Sequence, residues 1–148
     1  IMGMFAGMDI AISGATVSRT WMDAISHNIA NVNTDTSLEE EPFRALVVEA
    51  QAQGFERGER GGVAVSAIGE RTAPAAIVFD PDNPLALDAD SPLVQENPML
   101  EGMVQKPVVD LGQEMTNLTI ASRSYEANLG VVDRMRDAYM AALRIGQR

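Results

Sequence analysis

The longest helical periodicity in the sequence is VVDLGQEMTNLTIASRSYEANLGVVDRMRDAYMAALRI, residues 108–145. Side chains spaced by three and four positions share one face of an α-helix. One stripe with this spacing comprises Val108, Leu111, Met115, Leu118, Ser122, Tyr125, Leu129, Val132, Arg136, Tyr139 and Leu143. A second stripe beside it comprises Ala121, Val131, Met135, Ala138, Ala142 and Ile145. Two stripes predict a helix that is covered on more than one side, with Pro107 near its start and Gly146 at its end.

The length of this helix predicts that it needs partners. It would be about 55 Å long, whereas a compact domain of this chain length is about 30 Å across. An N-terminal helix can cover one stripe, which leaves the other for neighbouring subunits. A helical hairpin that buries both stripes within its own chain is the alternative.

The N-terminal segment, residues 4–34, is also predicted to be helical. Its stripe is wider because Ile25 adds to the positions Met8, Ile12, Ala15, Met22 and Ile29. Asn28, Asn31 and Asn33 are predicted to mark the end of the helix, because asparagine tolerates left-handed geometry and hydrogen-bonds to nearby backbone.

The middle of the chain has a different pattern. Residues 43–49, 62–68 and 75–79 are predicted to be short strands, separated by a glycine-rich turn at 58–62 and a Pro/Asp-rich loop at 80–98. The predicted fold class is therefore mainly α with a small β-rich insert. Residues 1–34 and 108–148 would form a terminal helical domain with a coiled-coil-like helical pair, and 35–107 the insert with its acidic, proline-rich loop.

Composition excludes several functions. The chain has no cysteine, which removes disulfides and thiolate chemistry, and aromatic residues make up only 5%. A net charge of −10 argues against nucleic acid or an anionic membrane as the partner. Residues 72–105 contain six acids and no Lys or Arg, which is typical of a solvated loop.

The apolar start of the chain, residues 1–17, does not resemble a cleaved secretory signal. It lacks a basic region and has Asp9 within the apolar run. We therefore expect any export from the cytosol to use another route.

No catalytic, metal or cofactor site is predicted. His27 is the only histidine, and the Asp80 and Asp88 segments have Pro-Leu where a calcium loop needs an acid or Asn followed by Gly. Gly58, Gly61 and Gly62 lack the Lys-Ser/Thr of a phosphate loop. A looser calcium site, or a small hydrolase that uses the acidic loop, remains an alternative that a metal-dependence assay would detect.

Two segments resemble a known family. Ser13-Gly14 with residues 22–34, MDAISHNIANVNT, looks like the N-terminal signature of flagellar rod and hook proteins. Residues 114–118, EMTNL, and 121–128, ASRSYEAN, are similar to the short proximal-rod subunits of the C type. Residues 42–44, PFR, and 80–84, DPDNP, agree with the insert of those subunits.

The resemblance implies a structural subunit of the proximal rod, the drive shaft of the flagellar basal body. It implies export through the flagellar type III apparatus without cleavage, and assembly in the periplasm. The implied partners are proximal and distal rod proteins, other copies of the chain, and basal-body adaptor, export-gate and MS-ring components, with no small-molecule substrate. An adaptor or chaperone of a secretion system, built as a coiled coil, is the alternative.

Sixteen residues are predicted to serve helix packing and assembly: Met22, Ile25, Asn28, Ile29, Asn31, Val32, Asn33, Leu111, Met115, Leu118, Ser122, Arg123, Tyr125, Asn128, Leu129 and Val132. Within this set, Met115, Leu118, Tyr125, Leu129 and Val132 are expected to face the N-terminal helix. We also expect the terminal segments of a free monomer to be largely unfolded, because an isolated helix gains too little from one stripe to offset its ordering entropy.

Overall fold

The computed structural model describes residues 2–54 and 61–146. The chain forms two compact units. Unit 1 comprises residues 1–25, 47–69 and 115–148, and unit 2 comprises 26–46 and 70–114. These bounds differ from the predicted division into 1–34 with 108–148 and 35–107. The predicted turn at 58–62 lies largely outside the described residues.

Helix α1 spans Met2–Ala30, so the predicted N-terminal helix is confirmed and ends four residues earlier than expected. Asn31 donates its backbone N–H to the carbonyls of His27 and Asn28, and its side-chain amide also donates to His27. The described residues include no non-glycine residue with positive φ, so the predicted left-handed asparagine is wrong. Local hydrogen bonds to the last carbonyls end the helix instead.

Helix α3 spans Leu111–Ile145, which confirms the long C-terminal helix. It begins three residues later than predicted, because Asp110 and not Pro107 caps it. The Asp110 carboxylate accepts the N–H of Gln113 at 3.0 Å, and the Asp110 carbonyl accepts the N–H of Glu114 at 2.9 Å. On the exposed side, Arg136 lies 3.7 Å from Asp133.

In unit 1, strands β1 (Leu46–Gln53) and β2 (Gly62–Glu70) pair in a two-stranded sheet. Ser13 of α1 accepts a hydrogen bond from the N–H of Val63 at 3.1 Å. A Cβ on Gly62 would lie 2.6 Å from the Ser13 hydroxyl, so this close approach requires glycine. The predicted strands 43–49 and 62–68 thus exist with shifted bounds.

In unit 2, β3 (Ala76–Phe79) pairs antiparallel with β4 (Met103–Lys106), with Ile77 opposite Gln105 and Phe79 opposite Met103. Strand β4 was not predicted, since four residues after a proline-rich stretch show too little periodicity. Val104 is fully buried, and Ala45, Leu87 and Val94 complete the buried apolar set of this unit.

The acidic segment between β3 and β4 is more ordered than the predicted loop. Helix α2 spans Pro92–Glu96, with Ser91 as its N-cap and Pro92 at its first position, and a 3₁₀ turn follows at Pro98–Leu100. Gly102 has a φ of 72°. Its carbonyl accepts the N–H of Asp80, and its own N–H donates to the carbonyl of Leu87. A Cβ there would lie 2.8 Å from the Phe79 ring. Backbone hydrogen bonds therefore hold the segment between β3 and β4 against the sheet.

None of the described helices combines the length and apolarity needed to cross a bilayer.

Candidate functional site

The helix pair of unit 1 is joined through small residues. Ala11 and Ala15 of α1 and Ala121 of α3 are buried, and Ala121 has no exposed surface. Ser18 donates to the Gly14 carbonyl at 2.9 Å and to the Ser124 hydroxyl at 3.1 Å. Small side chains let the two backbones approach closely, so this set forms the observed seam between the helices.

Glycines continue this close approach along α1. A Cβ on Gly14 would lie 2.9 Å from the Asn128 side-chain amide, and a Cβ on Gly7 would lie 2.6 Å from the Met135 methyl group. On the N-terminal side of Gly7 the contact between the helices is aromatic. Phe5 and Tyr139 pack edge to face there, with ring centres 5.7 Å apart. The seam therefore changes from polar and small at Ser18 to apolar and bulky at Phe5.

The α3 residues that were predicted to face α1 differ from the small residues of the observed seam. Met115 and Leu129 are 58% and 40% exposed, while Leu118, Tyr125 and Val132 are half-buried. Contacts to α1 come from Ser124, Asn128, Met135 and Tyr139. The expectation that Met115, Leu118, Tyr125, Leu129 and Val132 face α1 stays a prediction. Two helices come closest where the facing side chains are small, and the signal for that face was Ala121 and Ser124.

The other predicted assembly residues are distributed over buried and exposed positions. In α1 and the turn after it, Ile25 and Asn28 are buried, Met22, Ile29, Asn31 and Val32 are half-buried, and Asn33 is exposed. In α3, Leu111 and Arg123 are exposed, and Ser122 and Asn128 are half-buried. Their role in assembly stays a prediction.

Asn28 forms a polar junction inside unit 2. Its side-chain oxygen accepts the N–H of Leu46 at 2.7 Å, and its amide nitrogen donates to the Leu46 carbonyl at 3.0 Å. The side chain thus pairs with the Leu46 backbone as a neighbouring strand would. The amide nitrogen also lies 3.4 Å from the Glu114 carboxylate.

Glu114 completes this junction and was missed as a site residue. It is 2% exposed and lies 3.4 Å from the Arg71 guanidinium, while the Arg71 N–H donates to the Ala45 carbonyl at 2.7 Å. A buried carboxylate needs such partners because desolvation is costly. No sequence pattern marks burial of an acid in the first turn of a helix, where acids are common on exposed surfaces.

His27, the only histidine, is exposed and packs its ring 5.5 Å from that of Phe43. Within residues 2–54 and 61–146, no three His, Asp or Glu side chains come together as metal ligands would. The Asp80 carboxylate lies 3.8 Å from the Lys106 ammonium, which also lies 3.2 Å from Asp35. These carboxylates serve an ion-pair cluster on the β3–β4 sheet.

Comparison with known proteins relates the whole chain to one group. Residues 100–145 match the family model described as flagellar basal body rod FlgEFG protein C-terminal. The flagellar basal-body rod protein FlgC of Escherichia coli O6:H1 is 34% identical over 139 residues, which cover 94% of this chain and 95% of the relative. The FlgC of Bacillus subtilis strain 168 is 33% identical over 162 residues, covering 99% and 100%. The FlgC of Borreliella burgdorferi is 29% identical over 159 residues, covering 99% of each chain.

The matched region includes both terminal helices, the insert and the Asn28–Glu114 junction. Since relatives above 30% identity extend over nearly the full length, the chain belongs to the FlgC family of flagellar basal-body rod proteins, which are structural subunits of the flagellum.

Proposed function

We propose that this chain is a subunit of the proximal rod, where its terminal helices pack with those of neighbouring subunits as a coiled-coil-like assembly around the export channel. In this role it transmits torque from the membrane-embedded ring towards the distal rod and hook. Its partners are other rod proteins, further copies of itself, and adaptor, export-gate and MS-ring components. It reaches the periplasm through the flagellar type III apparatus without cleavage.

The observation that supports this proposal most directly is the apolar surface left uncovered on both terminal helices. On α1, Phe5, Ile10 and Ile12 are exposed. The exposed large apolar residues of α3 are Leu111, Met115, Ile120, Leu129, Tyr139, Met140, Leu143 and Ile145. Extended apolar surfaces of this kind mark interaction sites, and burial contributes about 25 cal/mol per Å².

The residue types at the α1–α3 seam also support the proposal that the terminal helices pack with neighbouring subunits. Because small residues form the α1–α3 contact around Ser18 and Ala121, many large apolar side chains of α3 remain exposed. A helix that makes a narrow contact within its own chain and leaves a wide apolar surface exposed is typical of a subunit that buries this surface against neighbouring subunits. Ordering of those parts of the terminal helices that belong to unit 1 is therefore proposed to accompany docking, as in other segments that fold on binding.

Replacing Leu129 or Leu118 with aspartate is expected to block rod assembly and abolish swimming, because a charge in an intersubunit helix contact is left desolvated. Swimming in soft agar and the amount of the chain in purified basal bodies measure the effect. Glu126→Asp on an exposed turn of the same helix is the matched control and should swim normally. Normal swimming by both leucine variants would contradict the proposed helix packing.

Circular dichroism of the dilute monomer tests the folding step separately. We expect low helicity that rises with protein concentration as the terminal helices find partners. Full and cooperative helicity in a dilute monomer would show that the helices need no neighbours.

A further inference from the structure

The β3–β4 sheet of unit 2 has one covered edge and one free edge. On the outer side of β4, Gln105 donates its N–H to the Thr36 carbonyl and accepts the Thr36 N–H, both at 2.9 Å. The Met103 carbonyl on the same side accepts the N–H of Leu87 at 3.1 Å. Both edges of β4 are therefore occupied, and β3 forms the open side of the sheet.

The hydrogen-bond alternation of antiparallel strands fixes which groups of β3 are available. Gln105 and Met103 direct these backbone groups away from β3, so their opposite residues Ile77 and Phe79 direct their N–H and C=O groups away from β4. Among the residues that the structure describes, no backbone hydrogen bond from outside the β3–β4 pair reaches Ile77 or Phe79. Two N–H and two C=O groups thus face outward.

The side chains of the same two residues are apolar and exposed. Ile77 and Phe79 are 56% and 64% exposed and lie on the face of the sheet opposite to Val104, which is fully buried. The Phe79 ring is held over Gly102, where a Cβ would lie 2.8 Å from it. A backbone edge and an apolar face therefore coincide at one place on the insert.

The surroundings of this edge are acidic. No Lys or Arg occurs between Thr72 and Gln105, and Lys106 is already paired with Asp35 and Asp80. Asp82 and Glu101 are exposed next to the Phe79 end of β3. Acidic flanks protect an edge from pairing with a second copy of the same strand, and they attract an extended segment of opposite charge.

We propose that the free edge of β3 binds an extended segment of a partner protein by strand addition. The segment has apolar residues opposite Ile77 and Phe79, and Lys or Arg at the end that passes beyond Phe79 towards Asp82 and Glu101. Its backbone hydrogen-bonds to the outward groups of these two residues, and its charges meet Asp82 and Glu101. This docking surface lies on the insert and is separate from the helix packing proposed above for the rod.

The probe for this site is a capped heptapeptide whose valines are followed by two terminal lysines, titrated into the isotopically labelled full chain and followed by NMR. We expect a dissociation constant between about 10 μM and 1 mM, as suits a short added strand. The largest shifts should fall on the amides of Ile77 and Phe79. The same peptide with two terminal glutamates in place of the lysines should bind at least about tenfold more weakly.

A second peptide separates strand pairing from simple charge attraction. N-methylation of the alternate amides that face β3 keeps the charge and removes the hydrogen bonds, so binding should be lost. Equal binding of the methylated and parent peptides would overturn the proposal. It would equally be overturned if no binding were seen at millimolar peptide, or if the shifts mapped away from β3.

The protein variant that tests the same edge is Ile77→Pro. Proline removes an N–H that points away from β4, a position where edge strands tolerate it, and should weaken peptide binding at least about tenfold. Ile77→Thr also loses the apolar side chain but retains the N–H, so it should bind the peptide more tightly than Ile77→Pro, and the difference isolates the contribution of that N–H. If both variants bind the parent peptide as the wild type does, the edge is not the docking site. The methylated peptide tests the same edge on the wild-type protein, so that test does not depend on the folding of a variant.

Discussion

Replacing Val104 with aspartate is expected to lower the free energy of unfolding of unit 2 by at least about 4 kcal/mol, a large part of the total for a small domain. Val104 has no exposed surface and lies on the inner face of β4, opposite Val78. The variant loses apolar burial and places a carboxylate at a position with no exposed surface. Chemical denaturation, followed through the NMR signals of β3 and β4, measures the loss.

Ile77→Asp is the matched control for this experiment. Ile77 is on the partner strand of the same sheet, but it is 56% exposed and faces the other side. Its replacement should cost about 0.5–1 kcal/mol, mainly through lower strand propensity. Equal destabilisation by the two variants would show that the β3–β4 sheet does not have the buried inner face described here.

Replacing Asn28 with alanine is expected to destabilise unit 2 by about 3 kcal/mol. The change removes two short hydrogen bonds to Leu46 and leaves the N–H and C=O of the half-buried Leu46 without these partners. It also removes the amide contact to the buried Glu114 carboxylate. The higher helix propensity of alanine offsets this by only about 0.5 kcal/mol.

Asn33→Ala tests whether the effect belongs to the junction and not to the asparagine-rich segment in general. Asn33 is exposed in the turn after α1, so its replacement should change the unfolding free energy by less than about 0.5 kcal/mol. Thermal unfolding of the two variants and the wild type, monitored side by side, gives the comparison. A midpoint for Asn28→Ala equal to that of Asn33→Ala would refute the proposed role of the junction.

The two terminal helices could be predicted because their signals are long and repeated. In α3 the three-four spacing continues over the whole element, and in α1 the same spacing recurs along the helix. The boundaries were less certain, since capping depends on single hydrogen bonds such as that between Asp110 and Gln113. Strand β4 and helix α2 were missed because so few residues give too little periodicity, whereas the equally short β3 consists of the strand-favouring residues AIVF.

The seam between the helices shows what apolar spacing alone leaves open. The pattern favoured the large residues Met115 and Leu129 for the inner face, yet Ala121 is the residue with no exposed surface. Apolar spacing predicts which residues share one face of a helix. It does not predict which neighbouring helix covers that face, because helix packing also depends on how closely the two backbones approach. In a subunit built for assembly, the large residues are available for neighbouring chains.

By itself the sequence determined that the chain is mainly helical with a small β-rich insert, has no histidine or cysteine set for metal chemistry, and resembles flagellar rod proteins. These features follow from local spacing, composition and motifs, which need no knowledge of contacts. The tertiary structure alone decided that Asn28 and Glu114 meet across 86 positions of the chain, and that Ile77 and Phe79 form an open edge. Long-range contacts of this kind depend on how the elements pack, and a local pattern does not encode that packing.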